Sequence, residues 1–230
     1  MNMRNLTSNR TGNRQEVASA GSNRTNINKP VSVEPAVVKA STAAAVVATA
    51  TPIDNPDLNY LASTTKIDIS GLTFGQLYNS ISDNRLTVEF SQPLEKLGPV
   101  PDGWATWSSP PFSESPNPDI LFAESNTLEM VLSRPVRVFG FELEPSPFAE
   151  SEFTANFYRG NQLVESITRT VNGNAGARLF ARTGTSIDRV VVEGPVDFAI
   201  AQVRYQLPIN VLFVVLLILL IIVLLLLLLL

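Results

Sequence analysis

A chain of 230 residues with 17 Lys and Arg against 21 Asp and Glu, and with neither cysteine nor histidine, has no means of forming disulfides, thiolate nucleophiles, zinc sites of the thiolate or imidazole kind, or the usual neutral-pH general base. A formal net charge of −4, with no clustered basic run in the central region, argues against nucleic acid as a partner. Between a polar beginning and an apolar end lies a stretch of the size of one domain, enough to bury one core.

Residues 1–55 read as a low-complexity, disordered segment. The first fifty positions are rich in Asn, Ser, Thr, Ala and Arg, hold no aromatic residue, and carry Glu16 and Glu34 as their acids. Such a composition buries too little apolar area to offset chain entropy. Ser8-Asn9-Arg10-Thr11 recurs as Ser22-Asn23-Arg24-Thr25, either a low-complexity coincidence or a short binding motif. Lys39 precedes an Ala-rich run ending Ala48-Thr49-Ala50, which reads as a linker or as a weak cleavage signal.

Residues 56–207 carry a different pattern. From Lys66 onward, short runs of period-2 alternation are punctuated by Gly, Pro, Asn and Asp, and no twelve-residue stretch shows a helical apolar stripe. The predicted strands cover residues 66–70, 86–90, 127–132, 136–143, 153–158, 163–171, 178–181, 188–193 and 197–205. About eight or nine strands in a domain of this size predict an all-β, antiparallel β-sandwich of jelly-roll type. Arg159-Gly160-Asn161 predicts a hairpin, and Asn172-Gly173-Asn174 offers positive-φ positions after the next strand. Within the hairpin, Phe153, Ala155 and Phe157 should face the core and Thr154, Asn156 and Tyr158 the solvent.

Two constellations invite functional readings. Trp104 and Trp107 lie in a segment dense in Pro, Ser and Gly, where exposed rings would stack on sugars as a glycan platform, or where Trp and Pro pack together to seal one end of the domain. Exposure of both rings decides between the two. Glu142 and Glu144 alternate on one strand and share a face, which suits a calcium site or, more ordinarily, the solvent face of the sheet. Asp68, Asp188 and Asp197 add oxygens without the dense Asp/Asn/Gly spacing of a calcium loop, and Arg178 and Arg182 flank a short apolar run. A glycan-active enzyme would need two carboxylates converging in a cleft.

The chain closes on an uninterrupted apolar run, Val211-Leu212-Phe213 and onward to Leu230. About 20 such residues match a hydrocarbon core ~30 Å thick, so residues 211–230 predict a C-terminal transmembrane anchor. Pro208 and Asn210 mark its start. Arg204 is the nearest basic side chain and none follows the run, so the positive-inside rule leaves orientation open.

Three stretches, Gly103-Trp-Ala-Thr-Trp-Ser-Ser-Pro-Pro111, Phe139-Gly-Phe-Glu-Leu-Glu-Pro145 and Val171-Asn-Gly-Asn-Ala-Gly-Ala-Arg-Leu-Phe-Ala181, with Asp197-Phe-Ala-Ile-Ala-Gln-Val-Arg-Tyr205 closing the set, resemble the extracellular β-sandwich domains of bacterial surface proteins of the PEP-CTERM, exosortase-sorted kind. Gln206-Leu-Pro-Ile-Asn210 stands where the sorting motif of that group would be. The resemblance implies a non-enzymatic surface or envelope protein. The expected partners are membrane lipid through the tail, and surface glycan or other envelope proteins through the domain.

Overall fold

The computed structural model describes residues 51–208, Leu216 and residues 218–222. In chain order the elements are β1 (Thr51–Ile53), α1 (Leu58–Ser63), β2 (Thr65–Lys66), β3 (Leu77–Ser82), β4 (Thr87–Leu97), β5 (Ile120–Ala123), β6 (Thr127–Val136), β7 (Val138–Pro145), β8 (Glu150–Arg159), β9 (Gln162–Asn172), β10 (Arg178–Thr183), β11 (Ile187–Glu193) and β12 (Phe198–Gln206). The expected all-β, antiparallel character holds, and each of the nine predicted runs carries a strand. The disorder expected of residues 1–55 lies, up to Ala50, outside the described residues; Thr51–Ile53 pairs with β10.

All the strands join one hydrogen-bonded sheet, in the order β1-β10-β7-β12-β5-β4-β6-β11-β8-β9, with β2 on β12 and β3 on β4. The long β4 is the bridge. Its end pairs with β5 (Leu97 opposite Ile120) and its beginning with β6 (Val88 opposite Leu132). The quartet β10-β7-β12-β5 and the quartet β6-β11-β8-β9 therefore hang from one strand. Their inner faces share a single core in which Phe141, Phe180, Phe198 and Ile200 of the first quartet meet Met130, Val190, Phe153 and Ile167 of the second. Phe153 sets its edge on Phe198 at 5.3 Å between centroids, and Phe141 stacks on Phe180 at 5.8 Å, the offset and edge geometries that ring quadrupoles favour.

Local chemistry explains the departures from expectation. The predicted run 66–70 pairs only at its start because the Asp68 carboxylate accepts the Ser70 N–H at 2.9 Å, turning the chain away. In the β8–β9 hairpin Gly160 takes the positive φ of 55°, as the first position of a two-residue turn requires. At residues 172–174 the expectation of positive φ is corrected: Ala175, not Gly173, sits at φ 54°. Gly173 is needed for space, since a Cβ there would lie 1.9 Å from the Pro147 carbonyl oxygen.

The outer face of the first quartet is also covered. All eight residues of β7 are buried. One cover is α1, whose N-cap Asp57 accepts the Tyr60 N–H at 2.8 Å and whose Tyr60 ring packs on Val138, Leu179 and Ala181. Gly140 makes room, because a Cβ there would meet the Tyr60 hydroxyl at 2.4 Å. The second cover is the irregular segment 98–119.

Among the described residues no helix is long and apolar enough to cross a membrane. The predicted anchor, with Val211, Leu212, Phe213 and Leu230, lies mostly outside the described residues; Leu216 and residues 218–222 within it are helical and exposed.

Candidate functional site

The segment 98–119 brings both predicted constellations together. Glu142 and Glu144 point outward from β7, beside Ala199 and Ala201 of β12, which are their register partners in reverse order. Small side chains on the neighbouring strand leave a trough, and the Trp107 ring fills it against Leu97, Val100, Ile120, Ala177, Ala199 and Ala201. Trp107 is 3% exposed. Its indole N–H donates to Glu142 Oε2 at 2.8 Å, while the Glu114 backbone N–H donates to Glu142 Oε1 at 2.6 Å. One turn of segment away, the half-buried Trp104 packs on Phe122 with centroids 5.6 Å apart. Its indole N–H donates to Glu144 Oε2 at 2.8 Å, and Gly176 N–H donates to Glu144 Oε1 at 3.0 Å.

The arrangement is a pair of Trp–Glu clasps. Each carboxylate receives one indole N–H and one backbone N–H, so donors that burial would leave unpaired, above all the Trp107 indole, are satisfied. Further bonds hold the same segment to the β9–β10 turn: Ser108 Oγ donates to the Ala175 carbonyl at 3.1 Å and Arg178 Nη1 donates to Ser108 Oγ at 3.2 Å. Arg178 also lies 4.3 Å from the Phe112 ring centroid, a cation–π contact. Glu114 receives a two-pronged bond from Arg204, at 2.7 and 2.9 Å, and a third from Lys66 at 3.0 Å. The segment's far end is pinned where the buried Lys96 Nζ pairs with Asp119 at 2.7 Å.

Electrostatics follow burial. Desolvation pushes the Glu142 carboxyl up to about 7, against the lowering effect of its two N–H donors. Glu144 is raised for the same first reason. Glu114 goes the other way: burial alone would raise it, but the bonds from Arg204 and Lys66 hold it below the usual carboxylate range.

Two sequence expectations are corrected here. Trp107 does not present its ring to solvent, because the alanines of β12 leave a slot that it fills; the pair seals the outer face of the sheet. Trp104 alone borders open space, a concavity of about 440 Å³ shared with Phe122 and Phe148. Glu142 and Glu144 do not lie on a solvent face, and both oxygens of each are occupied by N–H donors instead of facing a cation. Among the described residues no group of three or more acidic side chains is arranged to hold a metal ion. Asp188 accepts Gly160 N–H at 2.9 Å in the β8–β9 turn, and Arg182 caps the carbonyls of Thr183 and Thr185. Lys96, Glu114 and Arg204 carry no motif in the sequence; the signal that marks them is only the length of the Pro- and Ser-rich segment they hold in place.

No family model and no curated protein matches the chain. Among solved structures, a similar chain is the enzymatically active domain of tailspike protein 4 of bacteriophage CBA120, at 14% sequence identity and a TM-score of 0.28. The match covers 54% of this chain and 20% of that one, a likeness too low to carry an argument about fold or activity.

Proposed function

We propose that this chain is a non-enzymatic, membrane-tethered surface or envelope protein whose jelly-roll domain acts as a structural or interaction module. The strand order supports the architecture: two antiparallel quartets face each other, each mixing early and late strands as a double Greek key does. The observation that carries the functional reading is the pair of clasps. The side chains with the most chemistry in the sequence, two indoles and two alternating carboxylates, turn inward and bind one another. That is a design for rigidity, and a rigid domain suits display at a surface. The tether rests on the apolar run from Val211 to Leu230, which begins close after β12. The resemblance to exosortase-sorted surface domains points the same way. A glycan-binding reading retains only Trp104 and its concavity.

The tether is tested by fractionation. The full chain should sediment with membranes, resist extraction by alkaline carbonate and by high salt, and enter solution only with detergent. Recovery in the soluble fraction without detergent would overturn the anchor.

A further inference from the structure

The end of the domain from which the chain leaves β12 gathers exposed arginines, a feature no stretch of sequence displays. Three separate connections converge there: the β3–β4 turn brings Arg85, the β6–β7 junction Arg134 and Arg137, and the β8–β9 turn Arg159. All four are exposed. None forms a salt bridge among the described residues, although Arg85 lies within Coulombic reach of Asp83.

Two observations fix their position relative to the last residues of the domain. The Arg137 backbone N–H donates to the Gln206 carbonyl at 2.7 Å, and Arg85 and Arg134 both lie within Coulombic reach of the Tyr205 hydroxyl. Arg134 and Arg159, with Ser133 and Ser186, line a concavity of about 690 Å³ whose remaining wall is Pro135, Leu207 and Pro208. The carboxylates at this end each accept a hydrogen bond, including Asp57, which borders a concavity with Arg137 and Gln206 and accepts the Tyr60 N–H at 2.8 Å. Asp83 accepts the Tyr205 hydroxyl at 2.6 Å, and Asp188 accepts Gly160 N–H. The opposite end is richer in acids, with Glu124, Glu150, Glu193 and Asp197 in its loops at 123–127, 145–150 and 193–198, against Arg178 where the β9–β10 connection ends. The domain is thus polarised along its strands, positive toward the exit of the C-terminal segment.

We propose that the Arg85, Arg134, Arg137 and Arg159 end is a docking surface for the anionic phosphate headgroups of the membrane that the C-terminal segment enters. This rests on the tethered reading for its geometry. With the apolar run starting at Val211, three residues after Pro208, the chain leaves no room for a long stalk, so this end would face the headgroups at close range. Guanidinium forks match phosphate oxygens, and basic groups beside an anionic leaflet are attracted within a screening length of about 8 Å. Docking would hold the domain upright, with its acidic end outward.

The chain contains no cysteine, so single-site labels are clean. Full-length protein carrying Asn161→Cys, at the turn beside Arg159, or Asn126→Cys, at the opposite end, is labelled with a fluorescent donor. It is then added to vesicles holding a headgroup acceptor, made of phosphatidylcholine alone or with added phosphatidylserine. The expected result is stronger transfer from position 161 than from position 126, with an increment on adding phosphatidylserine that is lost at about 1 M salt and reduced roughly tenfold or more in Arg134→Glu/Arg159→Glu, whose near-ultraviolet dichroism should report an unchanged fold. Equal transfer from neutral vesicles, or full transfer in the charge-reversed protein, overturns the proposal. Flotation with vesicles at ~1 M salt reads the tether separately. A chain that floats there without lipid-dependent transfer keeps the tether and loses the docking surface. One that binds phosphatidylserine vesicles only at low salt, through position 161, keeps the docking surface and loses the tether.

Discussion

Replacing Trp107 with alanine should destabilise the domain by about 3–5 kcal/mol, the usual consequence of deleting a large aromatic side chain from a packed site. The ring is 3% exposed and closes the trough over Ala199 and Ala201. Its loss also strips one of two donors from a buried carboxylate, which costs about 1–3 kcal/mol on its own. Since small domains are stable by only about 5–15 kcal/mol, a large share of the total is at stake. Trp107→Phe separates the contributions: most of the buried area stays, the N–H to Glu142 goes, and the expected loss is about 1–3 kcal/mol. Trp104→Ala should cost less than Trp107→Ala because the Trp104 ring is only half-buried. Thermal unfolding followed by far-ultraviolet dichroism in detergent gives the ranking. A Trp107→Ala protein within about 0.5 kcal/mol of the parent would mean that the outer face is not sealed by this ring.

The second large effect is a fall in stability between about pH 5 and pH 8. In the folded protein Glu142 keeps its proton up to about 7, whereas its ordinary value is 4.5. Between those two values the native state binds more protons than the unfolded state, so stability declines as pH rises through the window. The full span corresponds to on the order of 3 kcal/mol, and the raised Glu144 acts with the same sign. Carboxylates held low work in the opposite direction and lower on the scale. Asp68, bonded by Ser70 N–H, and Glu114, bonded by Arg204 and Lys66, lend stability that is lost on acidification. A stability maximum near pH 5 follows. The check is the thermal midpoint at pH 5 and pH 8 for the parent and for Glu142→Gln, whose neutral amide removes the Glu142 contribution to the slope whatever it does to absolute stability. A profile that rises from pH 5 to pH 8 in the parent would show that Glu142 is not a desolvated carboxyl.

How much of this was legible in the residues depends on range. Phe153, Ala155 and Phe157 alternate with Thr154, Asn156 and Tyr158, and that pattern is readable because one face of β8 meets the core and the other is partly solvated. The same logic misleads on β7. Glu142 and Glu144 alternate like a solvent face, but what covers them is a segment more than twenty residues away in sequence, and alternation carries no record of that. Ile120–Ala123 was missed for a related reason: apolar on both faces, it shows no period. Leu77–Ser82 was missed because an edge strand on β4 has few core-facing positions to reveal it. The sequence around the tryptophans admits two alternatives, and the alanines of β12 that select the sealing one are legible only once register places them beside the glutamates. The basic end lies beyond any local reading, since its arginines come from four positions in three turns.

The central claim is that the indoles and carboxylates of this domain hold one another and close the sheet. The most direct measurement is the nitrogen–proton spectrum of the two indole groups, the chain having only two tryptophans, recorded with hydrogen exchange and across pH. The prediction is one strongly protected indole proton, that of Trp107, whose shift titrates with a midpoint near 7 and loses that titration in Glu142→Gln, with both signals unmoved by added calcium or glycans. Two indole protons exchanging at the rate of free tryptophan, or signals displaced by calcium or glycan, would contradict it.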